Sequence, residues 1–358
     1  MKKTVLILGG DGIGPEVTAQ GVKVLRILAA RHGLELEEQE DLIGAAALQV
    51  LDDPLPASTF AKARASDAIL FGAVGDPRFD KAGTTERPGR ALLTLRKELQ
   101  LYANLRPAKV FAATIDASPL KRERIEGADL MIVRELTGGI YFGEPRGRRE
   151  EAGQKFALNT MIYSEEEVER IVRFAFELAR KRRHRLTSVD KGNALEVGAF
   201  WREIATRIAA DYGDVEFSSM YVDNAAMQII RDPRQFDTLV MSNMFGDILS
   251  DAAANLAGSL GMLPSASLGR RHAFYEPCHG SAPDIAGRDI ANPVASILSV
   301  GMMFRYSFGL PEADEAIEHA VEAVLATERT ADIMAPGKRQ VGCTELGDLI
   351  AQRLEAGA

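Results

Sequence analysis

Apolar runs of strand length alternate along this chain with stretches in which apolar residues recur every three or four positions. The strand-like runs are Thr4 to Leu8, Asp67 to Phe71, Asp129 to Val133, Leu186 to Val189, Ser219 to Val222 and Thr238 to Met241. After the glycine-rich turn Gly9-Gly-Asp-Gly-Ile-Gly14, Pro15 opens a predicted helix with Val17, Gly21, Val24, Leu25 and Leu28 on one stripe. Ser164 and Glu167 have capping-box spacing, and Val168, Ile171, Val172, Ala175 and Ala179 continue that helix as one apolar face. Asp76 to Arg90 is polar and reads as a long loop, with a further helix starting at Ala91. Strands alternating with helices predict an α/β protein with a largely parallel sheet. The spacing Gly10-x-Gly12-x-Gly14 lacks the glycine pattern of a Rossmann site, so the turn signals only a sharp bend or close backbone approach.

A length of 358 residues suggests about two domains. No composition shift marks a boundary, which leaves a discontinuous domain open. With 46% hydrophobic and 26% charged residues the chain can build a sizeable core, and a net charge of −8 argues against nucleic-acid or anionic-membrane partners. The basic run Arg180 to Arg185 reads as a solvated helix end. Two cysteines, Cys278 and Cys343, supply no disulfide framework or thiolate metal site and fit a reducing compartment. With an N-terminal run too short for a signal peptide and no membrane-length apolar stretch, a cytoplasmic protein is expected.

Candidate chemistry gathers after the strands, where open α/β sheets place ligands. Asp247 and Asp251, four apart on a predicted helix, stand roughly 6 Å apart on one face. Oxygen ligands at that spacing suit a hard divalent cation, Mg²⁺ or Mn²⁺, but also suit one carboxylate on the helix dipole and a solvated one a turn later. Spacing alone leaves both open. Arg96, Arg106 and Arg134 suit a substrate with two carboxylates, because guanidinium forks match carboxylate geometry. Lys191 and Tyr141 suit proton transfer, and Asp223 reads either as a third metal ligand or as the N-cap of a helix starting at Asn224. The loop Glu276-Pro-Cys-His-Gly-Ser-Ala-Pro-Asp-Ile285 is dense in small residues and lets a ligand approach its backbone; Asp284 could accept from a ribose diol.

Five motifs, in order, carry a resemblance. They are Gly10-Asp-Gly-Ile-Gly-Pro-Glu16, Asn104-Leu-Arg-Pro107, Arg134-Glu-Leu-Thr-Gly-Gly-Ile-Tyr-Phe-Gly143, Asn243-x-x-Gly-Asp-x-x-Ser-Asp251 and His279-Gly-Ser-Ala-Pro-Asp284. Over essentially its whole length the sequence resembles the β-decarboxylating dehydrogenases, and within them the isopropylmalate branch, because Leu92 and Leu93 stand where isocitrate enzymes present Ser and Asn. The resemblance implies an isopropylmalate-dehydrogenase-like two-domain α/β fold with a central mostly parallel sheet rather than a Rossmann fold. Residues 1–101 and 258–358 would form a discontinuous large, NAD-binding domain, and 102–257 a small domain with the catalytic and metal residues and a dimer arm near Glu144 to Tyr163.

The resemblance also implies roles: Arg96, Arg106 and Arg134 on the malate carboxylates, Leu92, Leu93, Asn193 and Ala194 at the rest of the substrate, and Lys191 and Tyr141 in catalysis. Mg²⁺ or Mn²⁺ would be held by Asp247 and Asp251 of one subunit and Asp223 of the other, Asp223 also meeting substrate. Glu276, His279, Gly280, Ser281, Ala282, Asp284, Ile285 and Asn292 would bind NAD, in a homodimer with shared active sites.

Three departures stand out. The family's loop glutamate is either absent or supplied by Glu86, the usual Lys-Ala-Asn-Val reads Lys191-Gly-Asn-Ala194, and Cys278 replaces an aliphatic residue. Rival readings are the same chemistry on another 3-alkylmalate, tartrate or malate, and a metal-dependent hydrolase without a redox step.

Overall fold

In the computed structural model, which describes residues 2–79 and 87–357, the strand-like runs become Lys2–Gly10, Ala68–Ala73, Asp129–Glu135, Arg185–Asp190, Glu216–Tyr221 and Thr238–Met241. Packing divides the chain into two compact units. One comprises Met1–Leu101, Val110–Arg122 and Ala257–Ala358; the other comprises Tyr102–Lys109 and Glu123–Leu256.

In the first unit the strand order is Glu35–Glu40, Lys2–Gly10, Ala68–Ala73, Ala273–Pro277, Pro264–Leu268, parallel except for the last pair. Helix Gly14–Arg31 buries Val17, Gly21, Val24, Leu25 and Leu28, the stripe that its periodicity predicts. It packs on helices Val294–Met303 and Cys343–Glu355. Every residue of Val294–Met303 is buried, as expected of a helix apolar all round.

The turn between Gly9 and Gly14 bends sharply and also admits close backbone. Gly12 has a φ of 59°, and a Cβ there would lie 1.9 Å from the Ser281 carbonyl oxygen. Asp11 accepts from the backbone N–H groups of Ala45, Ala46 and Gly75. The turn therefore holds protein backbone.

The second unit orders its strands Ala103–Lys109, Asp129–Glu135, Thr238–Met241, Arg185–Asp190, Glu216–Tyr221, with only the first pair antiparallel. The capping box forms as predicted: Ser164 Oγ accepts from Glu167 N–H at 3.3 Å, and Glu167 Oε2 accepts from Ser164 N–H at 2.8 Å. The helix it starts, Glu165–Arg180, buries all five residues of its predicted face. Gly147–Glu151 and Gln154–Leu158 form an exposed antiparallel hairpin in the segment read as a dimer arm.

Several expectations change. Val110–Arg122 packs with the first unit, whereas the sequence reading ran the middle segment unbroken from 102 to 257. Arg329, wholly buried, explains the difference: its guanidinium donates to Asp116 Oδ1 at 2.8 Å and to the Ala113 and Ile333 carbonyls, tying 110–122 to the end of the chain. Replacing Arg329 with methionine leaves those acceptors unpaired and should cost roughly 3 kcal/mol. A lowered urea midpoint checks this; an unchanged one would show that the segment is held by other contacts.

The basic run is not simply solvated. Arg182 Nε donates to the buried Asp237 at 2.9 Å and Nη2 to Asp129 at 3.0 Å, pinning two strand starts to the helix end. Nor is all of Asp76 to Arg90 a loop. Pro77–Phe79 is a turn of 3₁₀ helix, and the helix expected from Ala91 starts three residues earlier, as Pro88–Glu98, with proline in its first turn. Glu86 lies outside the described residues. Among the described residues no helix is long and apolar enough to cross a membrane.

Candidate active site

The second unit brings five of the predicted residues together around helix Asn243–Ala257. Arg134, near the end of strand Asp129–Glu135, places Nη1 2.5 Å from Asp247 Oδ1. Tyr141, on the 3₁₀ turn Gly139–Tyr141, donates its hydroxyl to Asp247 Oδ2 at 2.9 Å. Arg106, from the neighbouring strand, reaches Asp251 Oδ1 at 3.2 Å, Asp247 Oδ1 at 3.7 Å and Ser250 Oγ at 2.7 Å. The two carboxylates thus share a face, with cations between them offsetting their repulsion.

Gly246 makes this approach feasible. A Cβ at that position would stand 2.6 Å from the Arg134 side chain, so glycine lets the arginine lie across the helix. Burial and the bond to Asp247 hold the Tyr141 phenol above its ordinary pKa, so it stays protonated through neutral pH.

Lys191 and Asp223 form a second group, with Lys191 Nζ donating to Asp223 Oδ1 at 2.7 Å. That bond holds the Asp223 carboxyl below the usual range. The N-cap reading of Asp223 is corrected: the helix is Val222–Arg231, its N-cap residue is Tyr221, and Asp223 lies in the first turn facing the lysine. Asp190, beside Lys191, is used by the fold, accepting from Arg202 Nε and Nη2 at 2.9 Å. Asn193 and Ala194 are exposed in the turn that follows.

No group of three or more His, Cys, Asp or Glu side chains able to hold a metal ion forms among the described residues. Asp247 and Asp251 remain a two-carboxylate set, with the Asp251 side chain 61% exposed and open to further ligands.

In the first unit Arg96 donates through Nη2 to Glu276 Oε1 at 2.7 Å, and both side chains are buried. The expected substrate arginine and the expected cofactor glutamate are therefore partners of one another. Leu92 packs against the core while Leu93 is exposed. In the 276–285 loop, Ser281 is held by its carbonyl, which accepts from Ile13 N–H at 2.8 Å, and Ala282 has a φ of 36°. Ile285 packs with Ile13 and Val17, Gly280 and Asp284 are exposed, and burial lowers the His279 pKa, favouring the neutral ring.

Asn292 spends its amide on the fold, accepting from Val294 N–H and donating to Asp332 Oδ2 at 3.1 Å. Asp332, like Asn104 and Ser250 beside Arg106, escaped the sequence reading. Asn104 and Ser250 stand inside recognised motifs, which was the available signal.

The family described as isocitrate/isopropylmalate dehydrogenase matches residues 4–350. Among similar proteins, the 3-isopropylmalate dehydrogenase of Aquifex aeolicus (strain VF5) is 54% identical over 357 residues, covering 99% of this chain and 98% of that protein. That of Synechococcus sp. (strain JA-3-3Ab) is 56% identical over 353 residues, covering 98% and 93%. Among solved structures, isocitrate dehydrogenase from Methylococcus capsulatus superposes with a TM-score of 0.87 at 34% identity, covering 99% of both chains. A β-decarboxylating dehydrogenase from Thermococcus kodakarensis gives 0.80 at 34% identity, covering 99% of this chain and 96% of that one.

Proposed function

Because the chain belongs to the isocitrate/isopropylmalate dehydrogenase family, we propose that it oxidatively decarboxylates 3-isopropylmalate to 4-methyl-2-oxopentanoate with NAD⁺, a step of leucine synthesis. The observation that carries this reading is the gathering of Arg106, Arg134 and Tyr141 on Asp247 and Asp251. Arg106 and Arg134, with Arg96, take the malate carboxylates, while Leu92 and Leu93 suit a branched alkyl group.

Asp247 and Asp251 supply hard oxygen donors that fit Mg²⁺ or Mn²⁺, and Asp223 of the partner subunit completes the set. The cation would supply Lewis-acid polarisation of a substrate oxygen and NAD⁺ the capacity to accept a hydride. Lys191 takes the proton of the 2-hydroxyl, and Tyr141, protonated at neutral pH, returns a proton to carbon after CO₂ leaves. The loop from Glu276 to Ile285, with Asn292, would hold the adenosine part of NAD⁺.

A homodimer is supported by large apolar side chains left exposed in the second unit. On helix Val222–Arg231 Met227 is 62% exposed, and on helix Asn243–Ala257 Ile248 is 60% exposed. Exposed apolar side chains of this size suit burial against a second copy of the chain. The free thiols Cys278 and Cys343 suit a reducing cytoplasm.

Following NADH absorbance with 3-isopropylmalate, NAD⁺ and Mg²⁺ tests the reading. Chelation should abolish the signal and added Mg²⁺ or Mn²⁺ restore it. Absence of NADH formation with every 2-hydroxy acid tried would sink the dehydrogenase and favour a hydrolase. A graded 3-alkylmalate series tests the second reading, which the small, exposed Ala194 favours. An optimum at alkyl groups longer than isopropyl would move the assignment to that substrate.

A further inference from the structure

We infer that Asn243 is the positioning residue of this site, aiming Arg134 without neutralising it and setting the turn that carries Tyr141. The inference rests on the reading of Arg134 and Tyr141 given above.

Asn243 is the first residue of helix Asn243–Ala257, and only 1% of its surface is exposed. Its Oδ1 accepts from Arg134 twice, from Nε at 2.9 Å and from Nη2 at 2.7 Å. A guanidinium is a rigid planar fork, so two donors on one acceptor fix the direction of the third nitrogen. That nitrogen, Nη1, is the one on Asp247.

The neutrality of the amide matters. A carboxylate in the same place would hold the fork equally well but would neutralise it. An amide orients the cation and leaves its charge to act on Asp247 and on a carboxylate ligand.

The other end of the amide does a second job. Nδ2 donates to the carbonyls of Leu136 at 3.1 Å and Gly138 at 3.0 Å. Those carbonyls belong to the turn that runs directly into Gly139–Tyr141. The Asn243 backbone N–H donates to the Tyr163 hydroxyl at 2.8 Å, so the residue is itself locked from below. One buried side chain thus ties a carboxylate-binding arginine, the tyrosine's turn and the helix bearing Asp247 and Asp251 into one geometry. Leucine or alanine would satisfy packing there, but only an amide offers an uncharged acceptor and donors together.

The decisive variant is Asn243→Asp, which keeps the volume, keeps an acceptor for Arg134, neutralises the arginine and removes the donors to the turn. A residue that merely packs predicts parental kinetics. The inference predicts a KM for 3-isopropylmalate raised roughly 10- to 100-fold, a lowered kcat, and a KM for NAD⁺ within about twofold of the parent.

The same change made in an Arg134→Ala background should raise KM less than about threefold, because the group it acts through is gone. If Asn243→Asp does not fold by circular dichroism, Asn243→Ala carries the same cycle. A folded variant with parental KM for 3-isopropylmalate overturns the inference, and so does an undiminished effect without Arg134. Arg134→Ala with an unchanged KM would instead overturn the substrate reading of that arginine, and the inference with it.

Discussion

Replacing Lys191 with methionine should lower kcat by about 10³-fold, the middle of the range for loss of a general base. The change keeps an unbranched apolar stem and removes the amine. Lys191 Nζ sits 2.7 Å from Asp223 Oδ1, so the pair travels as one unit on the ends of strand Arg185–Asp190 and the start of helix Val222–Arg231. Nothing in the core rests on the lysine, which is half-buried, so the variant should melt with the parent. Its KM for NAD⁺ should stay within about threefold, since the proposed role of the residue is proton transfer at the substrate. A kcat within tenfold of the parent would remove Lys191 from the proton transfer.

The second large effect is a pattern of complementation. Asp223→Asn and Asp247→Asn should each be inactive alone, yet a co-refolded mixture should recover about a quarter of parental activity. Random pairing makes half of the dimers mixed, and one of the two sites in each mixed dimer is intact. Because Lys191 and Asp223 are bonded within one chain, both belong to the same contributed half. Lys191→Met should therefore be rescued by Asp247→Asn and not by Asp223→Asn. Rescue by both, or by neither, would argue against a shared site. This test needs no knowledge of how large the interface is, only that subunits exchange during refolding.

Much of the secondary structure was legible because it depends on local periodicity. The stripe of helix Gly14–Arg31 and the capping box at Ser164 are set by residues within a turn of one another. The helix starts at Pro88, three residues before the expected Ala91; Gly89 and Arg90 after the proline read as loop. The basic run after Arg180 was misread for a different reason. Its charges look solvated in sequence, and only strand order brings Asp237 and Asp129 beneath them.

The sequence by itself determined the inventory of this protein: α/β alternation, the acids of the Asn243 helix, the arginines, the lysine and the tyrosine. Chemical type and short spacing are enough for that. Only the tertiary structure decided who faces whom. Asn243 and Arg134 meet across 109 positions, and Arg106 and Asp251 across 145. Such pairings follow from which strand lies beside which, and periodicity carries no record of strand order. Asp223 shows the difference most plainly. Its spacing suggested a helix cap, and its neighbour in space, Lys191, makes it half of a hydrogen-bonded ion pair.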